Sequence, residues 1–371
     1  MKKAKILSIF GTRPEAIKMA PVIKKLEGKV VEHKVVVTAQ HRELLDQVLK
    51  FFKIKPDYDL GVMMPEQTLT TISVDILNKL ERILEYEKPD LVLIQGDTPT
   101  AFSAATAAFY QKIPIAHIEA GLRTYNKYDP FPEEMNRQLI DVLCDIYFAH
   151  TETAKDNLLR ENHPKENIFV TGNTVIDALF LATEKERKFL DKSLNKVDFR
   201  KKVILVTTHR RENWGETIEK IHKAIKEVVD KNPDVEVIFP VHPNPKIKES
   251  ANKVLGQNKR VYLVKPLDYP DMSALLKKVY FVMTDSGGLQ EEAPALGKPV
   301  LVLRRTTERP EGVIAGTAKL IGVDPKKIVK EANILLKDKT VYQKMAKAIN
   351  PYGDGKASGR IVKVILKKFN A

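Results

Sequence analysis

Short apolar runs alternate with longer stretches in which apolar positions recur every three or four residues, and this rhythm fills most of the chain. Residues 6–10, 34–38, 91–95, 113–117 and 146–149 read as strands. Residues 15–26 and 69–86 between them carry the helical period. Such alternation predicts a parallel sheet covered by helices. The rhythm restarts at 203–207 and continues through 235–240, 261–264, 279–283 and 300–303. A charged stretch at 184–202 separates the two series, so the boundary is expected between Val170 and Arg200. The fold class is therefore α/β with two doubly wound domains. We expect an N-terminal domain at 1–172, a C-terminal domain at 173–356, and a last helix in 357–371 that packs back on the first domain.

Composition agrees with this. A chain of 371 residues exceeds one average domain, and 43% hydrophobic with 30% charged residues allows a sizeable core. No apolar run approaches the roughly 20 residues of a membrane span. The N-terminus enters a strand at once, and its apolar stretch is too short for a signal peptide. Cys144 is the only cysteine, which excludes an internal disulfide and a thiolate metal cluster. A cytoplasmic location is expected. The net charge of +14 raises nucleic acid as a partner. The lysines, however, are interleaved with glutamates, as in 216–220 and 223–227. That pattern suits a solvated surface or attraction for a small anion, so no nucleic-acid partner is expected.

In doubly wound sheets, ligands bind beyond the carboxyl ends of strands, and the polar motifs here follow strands. In 284–293, Thr-Asp-Ser-Gly-Gly-Leu-Gln-Glu-Glu-Ala, a strand runs through a Ser-Gly-Gly turn into a helix. Ser286 and Gly287 would offer backbone N–H groups to a phosphate, and Glu292 would reach a sugar diol. A tight turn with a helix cap is the plainer reading. The first strand leads to Phe-Gly-Thr-Arg-Pro-Glu at 10–15, with one glycine where a dinucleotide fingerprint needs three, so a nicotinamide cofactor is not expected. Arg13 and Lys18 fall where they could contact phosphate.

Asp97, Glu119 and Glu133 are carboxylates at strand ends or a helix start, a set suited to proton transfer at carbon. Asp97 before Thr98-Pro99 also suits a helix N-cap, and Glu133 after Pro132 a first turn. His117-Ile118-Glu119 has the H-x-E form of zinc deaminases, but the cysteines such a site needs are missing. Asp57-Tyr58-Asp59 is a possible cation pair in a turn-like stretch without a partner. No metal site is expected. In the second half, His209 and His242 follow strands and could line one cleft. Arg304, Arg305 and Arg309 suggest an anion site.

Taken in order, 11–15, 38–42, 95–97, 117–123, 131–137, 208–213, 286–288 and 308–312 resemble the non-hydrolysing UDP-N-acetylglucosamine 2-epimerase family over nearly the whole chain. The resemblance implies two Rossmann-like domains of GT-B type with an interdomain cleft. It implies interconversion of UDP-GlcNAc and UDP-ManNAc without nicotinamide or metal: the C2 proton is removed, UDP is expelled to give 2-acetamidoglucal, and UDP adds back. It implies a homodimer. Carried over by motif, Asp97, Glu119, Glu133 and His209 are the catalytic candidates. Arg13, Lys18, Arg137, His242, Ser286, Gly287, Glu292 and Arg309 are the substrate-binding candidates. Gln40 and His41 match an activator region for a second UDP-GlcNAc. Glu43 and Glu66 stand there where Gln and Arg are expected, which predicts weaker substrate activation. Met272 replaces an aromatic residue beside the uridine. A GT-B glycosyltransferase, or a hydrolysing epimerase that releases ManNAc, is the alternative enzyme.

Overall fold

The central strands are apolar at nearly every position because helices cover both faces of their sheets. The computed structural model describes residues 3–39, 42–63 and 67–369. Gln40, His41 and Glu66 therefore lie outside the described residues. The strands are β1 (Lys5–Phe10), β2 (Glu32–Val37), β3 (Tyr58–Asp59), β4 (Leu91–Gln95), β5 (Ile115–Ala120), β6 (Ile146–Ala149) and β7 (Ile168–Val170), then β8 (Lys202–Thr207), β9 (Val235–Pro240), β10 (Val261–Val264), β11 (Phe281–Thr284), β12 (Val300–Val302) and β13 (Ala318–Leu320). They form two parallel sheets, ordered β3-β2-β1-β4-β5-β6-β7 and β10-β9-β8-β11-β12-β13. The order reverses between β1 and β4 in the first sheet and between β8 and β11 in the second. Each sheet thus has the crevice where doubly wound folds place ligands.

The chain divides into a first unit, Met1–Leu181 with Tyr352–Ala371, and a second, Ala182–Pro351. In the first unit, Leu7, Ile9, Val92 and Ile94 pack against Ile76, Leu80 and Leu84 of helix Leu69–Glu87 and against Ala104, Ala105 and Ala108 of helix Pro99–Tyr110. The alanines let that helix approach the sheet closely. In the second unit, Ile204, Val206, Val237 and Phe239 pack against Ile221, Ile225 and Val228 of helix Glu216–Lys231 and against Ile328 and Leu335 of helix Pro325–Lys337. Burying each such side chain contributes roughly 1.5–3 kcal/mol.

Two expected boundaries move. The first unit runs beyond 172 because helix Thr174–Thr183 buries Ile176 and Leu179 and carries Asp177. That carboxylate accepts the N–H groups of Ala357 and Ser358, at 3.1 and 2.8 Å, and so holds the start of helix Ala357–Lys368. The return to the first unit begins at Tyr352, whose carbonyl accepts the N–H of Asn173 at 2.7 Å. The last helix packs on helix Arg13–Leu26.

Three strand assignments also shift. β5 runs to Ala120, past a register break between Ile118 and Ala120, so Glu119 lies within the strand and not after it. β11 begins at Phe281, because Val279 caps the preceding helix through its N–H to Leu275. The 57–59 stretch is not a turn, since Tyr58–Asp59 is an edge strand. Its carboxylates are engaged, Asp57 with Lys34 and Asp59 with Arg42. No helix among the described residues is long and apolar enough to cross a membrane.

Candidate active site

At the first switch point, Gly11 follows β1 with no room for a side chain. A Cβ there would collide with the hydroxyls of Thr38 and Thr100, which are 2.9 Å apart. Helix Arg13–Leu26 starts at once, with a capping box in which Glu15 accepts the N–H groups of Gly11 and Thr12 at 2.9 and 2.7 Å. Glu15 also accepts from the Thr98 hydroxyl at 2.5 Å, which ties this turn to the one after β4. Burial pushes the Glu15 carboxyl up. Arg13 is the first residue of the helix, half-buried and without an ion-pair partner among the described residues.

Asp97 lies just beyond β4. Thr98, not Asp97, caps the next helix, accepting the Ala101 N–H at 3.1 Å. The N-cap reading of Asp97 is therefore set aside. Its Oδ2 instead accepts Arg137 Nη2 at 2.5 Å and Nε at 3.1 Å, and its backbone carbonyl accepts Asn136 Nδ2 at 2.8 Å. Both Asn136 and Arg137 come from helix Glu133–Leu143. Glu119 has φ +70°, a left-handed conformation rare for a residue with a side chain. Its carboxylate accepts Lys18 Nζ, from helix Arg13–Leu26, and Gln95 Nε2 at 2.5 Å. Lys18, read as a phosphate ligand, and Arg137, read as a substrate-binding residue, thus pair here with two of the candidate acid/base groups. Glu133 opens its helix, and its carboxylate has no hydrogen bond among the described residues.

At the second switch point, buried Asp285 organises the turn after β8. It accepts the N–H of His209 at 2.9 Å and of Arg210 at 3.0 Å, and Asn213 Nδ2 at 3.1 Å. The His209 ring lies against it, with Nδ1 3.1 Å from Oδ1. Burial pushes the Asp285 carboxyl up, but the hydrogen bonds and charge of His209 outweigh this and hold it below its usual range. His242, after β9, stacks on His209 with ring centres 6.2 Å apart and 20° between planes. Burial and then the His209 charge push His242 down.

Ser286 caps helix Gly287–Ala295 without a side-chain hydrogen bond to it. A Cβ on Gly287 would lie 3.7 Å from Arg210 Nη2 and 3.9 Å from Arg309 Cζ. Two guanidiniums therefore stand over a helix N-terminus, which is a cradle for an anion. Glu291 anchors Arg309, and Glu292, one residue on, is 9% exposed. Arg304 does not belong to the cradle. It is buried, and its guanidinium binds Glu212 at 2.8 Å and Glu308 at 3.3 Å.

Sequence reasoning gave no role to Arg210, Gln95, Asp285 or Asp141. Their partners come from other strands and helices, and spacing along the chain carries no signal for them.

Acid/base candidates at one switch point and an anion cradle at the other describe an enzyme of the doubly wound α/β class that works on an anionic ligand. Residues 24–366 match the family model described as UDP-N-acetylglucosamine 2-epimerase. The Bacillus subtilis UDP-N-acetylglucosamine 2-epimerase is 53% identical over 367 residues, covering 99% of this chain and 96% of its own. The Neisseria meningitidis UDP-GlcNAc 2-epimerase, solved bound to UDP-GlcNAc, is 50% identical with a TM-score of 0.88, covering 98% of this chain and 100% of its own. An S. aureus protein solved with UDP is 51% identical with a TM-score of 0.87, covering 99% of this chain and 97% of its own. The chain belongs to the UDP-N-acetylglucosamine 2-epimerase family.

Proposed function

We propose that this chain inverts C2 of UDP-GlcNAc to give UDP-ManNAc, by eliminating UDP to 2-acetamidoglucal and adding it back. The observation that carries the reading is the pairing at adjacent strand ends of Asp97 with Arg137 and of Glu119 with Lys18. Each pair holds a carboxylate in place. Both guanidinium bonds to Asp97 fall on Oδ2, and Oδ1 takes none among the described residues.

The chemistry needs help from the leaving group, because C2–H is not acidic. In the forward direction a carboxylate takes the C2 proton, the C1–O bond breaks with its electron pair going to UDP, and a C1–C2 double bond forms. In the return, a UDP oxygen adds at C1 and a proton reaches the other face of C2. Among Asp97, Glu119 and Glu133, one group takes the proton and another delivers it. The helix N-terminus at Ser286 and Gly287, with Arg210 and Arg309, stabilises the departing diphosphate. Glu292 holds the ribose, and His209 with His242 lies beside the same cradle. The relatives solved with UDP-GlcNAc and with UDP support this ligand. A homodimer is the expected assembly.

NMR of UDP-GlcNAc incubated with the protein in D2O tests the reading. UDP-ManNAc should appear, with deuterium at C2 of both epimers. Free ManNAc as the product, or C2 protium retained through many turnovers, would count against it. Calorimetry with UDP tests the cradle: Glu292→Gln should weaken binding, and unchanged affinity would remove Glu292 from the ribose site.

A further inference from the structure

His117 was singled out in the sequence for a metal motif, and the reaction as drawn above leaves it unused. It sits in β5 with its side chain fully buried. Nε2 lies 2.8 Å from the carbonyl oxygen of Gly96, and Nδ1 lies 2.6 Å from Oδ1 of Asp141. A carbonyl oxygen only accepts, so Nε2 carries a hydrogen. The other oxygen of Asp141 accepts the Gly121 N–H at 3.1 Å and Arg123 Nη2 at 2.7 Å. Arg123 is always charged and is itself bound to Glu161 at 2.6 Å, so Asp141 faces it as a carboxylate. Nδ1 then also donates, and the ring is an imidazolium. Burial pushes the Asp141 carboxyl up, but His117 and Arg123 outweigh that and hold it below its usual range.

A buried ion pair of this kind adds little net stability compared with apolar packing of the same volume. Its position shows what else it does. Gly96 has φ +74°, and Asp97 is the next residue. The carbonyl before the Asp97 Cα is held by His117, and the carbonyl after it by Asn136. Both peptide planes that aim the Asp97 side chain are therefore clamped. Glu119 is bracketed in the same way. His117 lies two residues before it and Gly121 two residues after it, and both bind the one carboxylate of Asp141.

We propose that His117, held as an imidazolium by Asp141, is a positioning residue that sets Asp97 and Glu119 in register for proton transfer at C2. The proposal rests on the acid/base reading of those two carboxylates. Neither His117 nor Asp141 touches the substrate; both act through the backbone on either side of the groups that do.

The test compares His117→Asn, which keeps a group near Nδ1 but cannot reach Gly96, with His117→Gln, whose amide can still donate to Gly96. We expect kcat in His117→Asn to fall on the order of 10- to 100-fold, as misplacement of a reacting group by about an ångström does. KM and UDP affinity should stay within about threefold, and His117→Gln should recover part of kcat. Rates are referred to the folded fraction measured by circular dichroism, and a merely structural histidine would leave kcat per folded molecule unchanged in both variants. A folded His117→Asn with kcat within about threefold of the parent would overturn the proposal. If that variant does not fold, NMR of the unmodified protein labelled with 15N-histidine decides. Hydrogens on both ring nitrogens of His117 support the proposal, and a singly protonated ring overturns it. Failure of the underlying reading shows separately, as epimerisation by the unmodified protein without deuterium at C2.

Discussion

At the scale of single residues, the site is built from carboxylates whose partners come from distant parts of the chain. Asp97→Asn and Glu119→Gln remove a proposed proton-transfer group while nearly preserving shape. Each should lower the epimerisation rate on the order of 10²-fold or more. Deuterium uptake at C2 should fall in parallel, and a variant that retains full exchange would lose its acid/base assignment. A second residue-scale expectation concerns His222, fully buried on helix Glu216–Lys231. Its Nδ1 meets the Ser250 hydroxyl at 2.9 Å, its ring packs edge-on to Phe239, and burial pushes it down to about 4. The unfolded chain binds this proton at its ordinary value near 6.5, so stability is lost as pH falls from about 6.5 to about 4. The loss is on the order of 3 kcal/mol. Urea unfolding across that range should show the slope in the parent and a shallower one in His222→Gln; identical slopes would refute it.

At the scale of elements, the start of the last helix is held to the first unit by the Asp177 carboxylate. Asp177 accepts two helix N–H groups and, at 2.5 Å, the Ser358 hydroxyl. Asp177→Ala should cost about 1–3 kcal/mol by leaving those donors unpaired. Hydrogen exchange should then rise first in 357–368, and uniform protection there would show that packing on helix Arg13–Leu26 suffices alone. Much at this scale was legible in the sequence. β4, β6, β9 and β10 fall where their apolar runs begin and end. Short edge strands such as β3, β7 and β13 were not, because two or three residues cannot show a period. β5 was cut short because a charged Glu119 sits near its end, at the register break between Ile118 and Ala120. The strand-end residues Asp97, His209 and Ser286 were legible from motif and position. Arg210 over the helix N-terminus and the His117–Asp141 pair were not, since they exist only once separate strands and helices meet.

At the scale of the whole molecule, the chain carries acid/base candidates in one unit and an anion cradle in the other. The elimination asks for no redox step, and the turn after β1 holds one glycine, Gly11, where a dinucleotide would need more. Purified protein should therefore equilibrate UDP-GlcNAc and UDP-ManNAc without added NAD and in the presence of EDTA. Activity that requires NAD, or is abolished by the chelator, would refute this. The division of the chain has a consequence for its biosynthesis. The second unit, Ala182–Pro351, is complete before the ribosome makes Tyr352–Ala371, which finish the first. The first unit, begun before the second, is thus closed after it. Until then the face of helix Arg13–Leu26 that receives Ala357–Lys368 stays exposed on the nascent chain, open to chaperones.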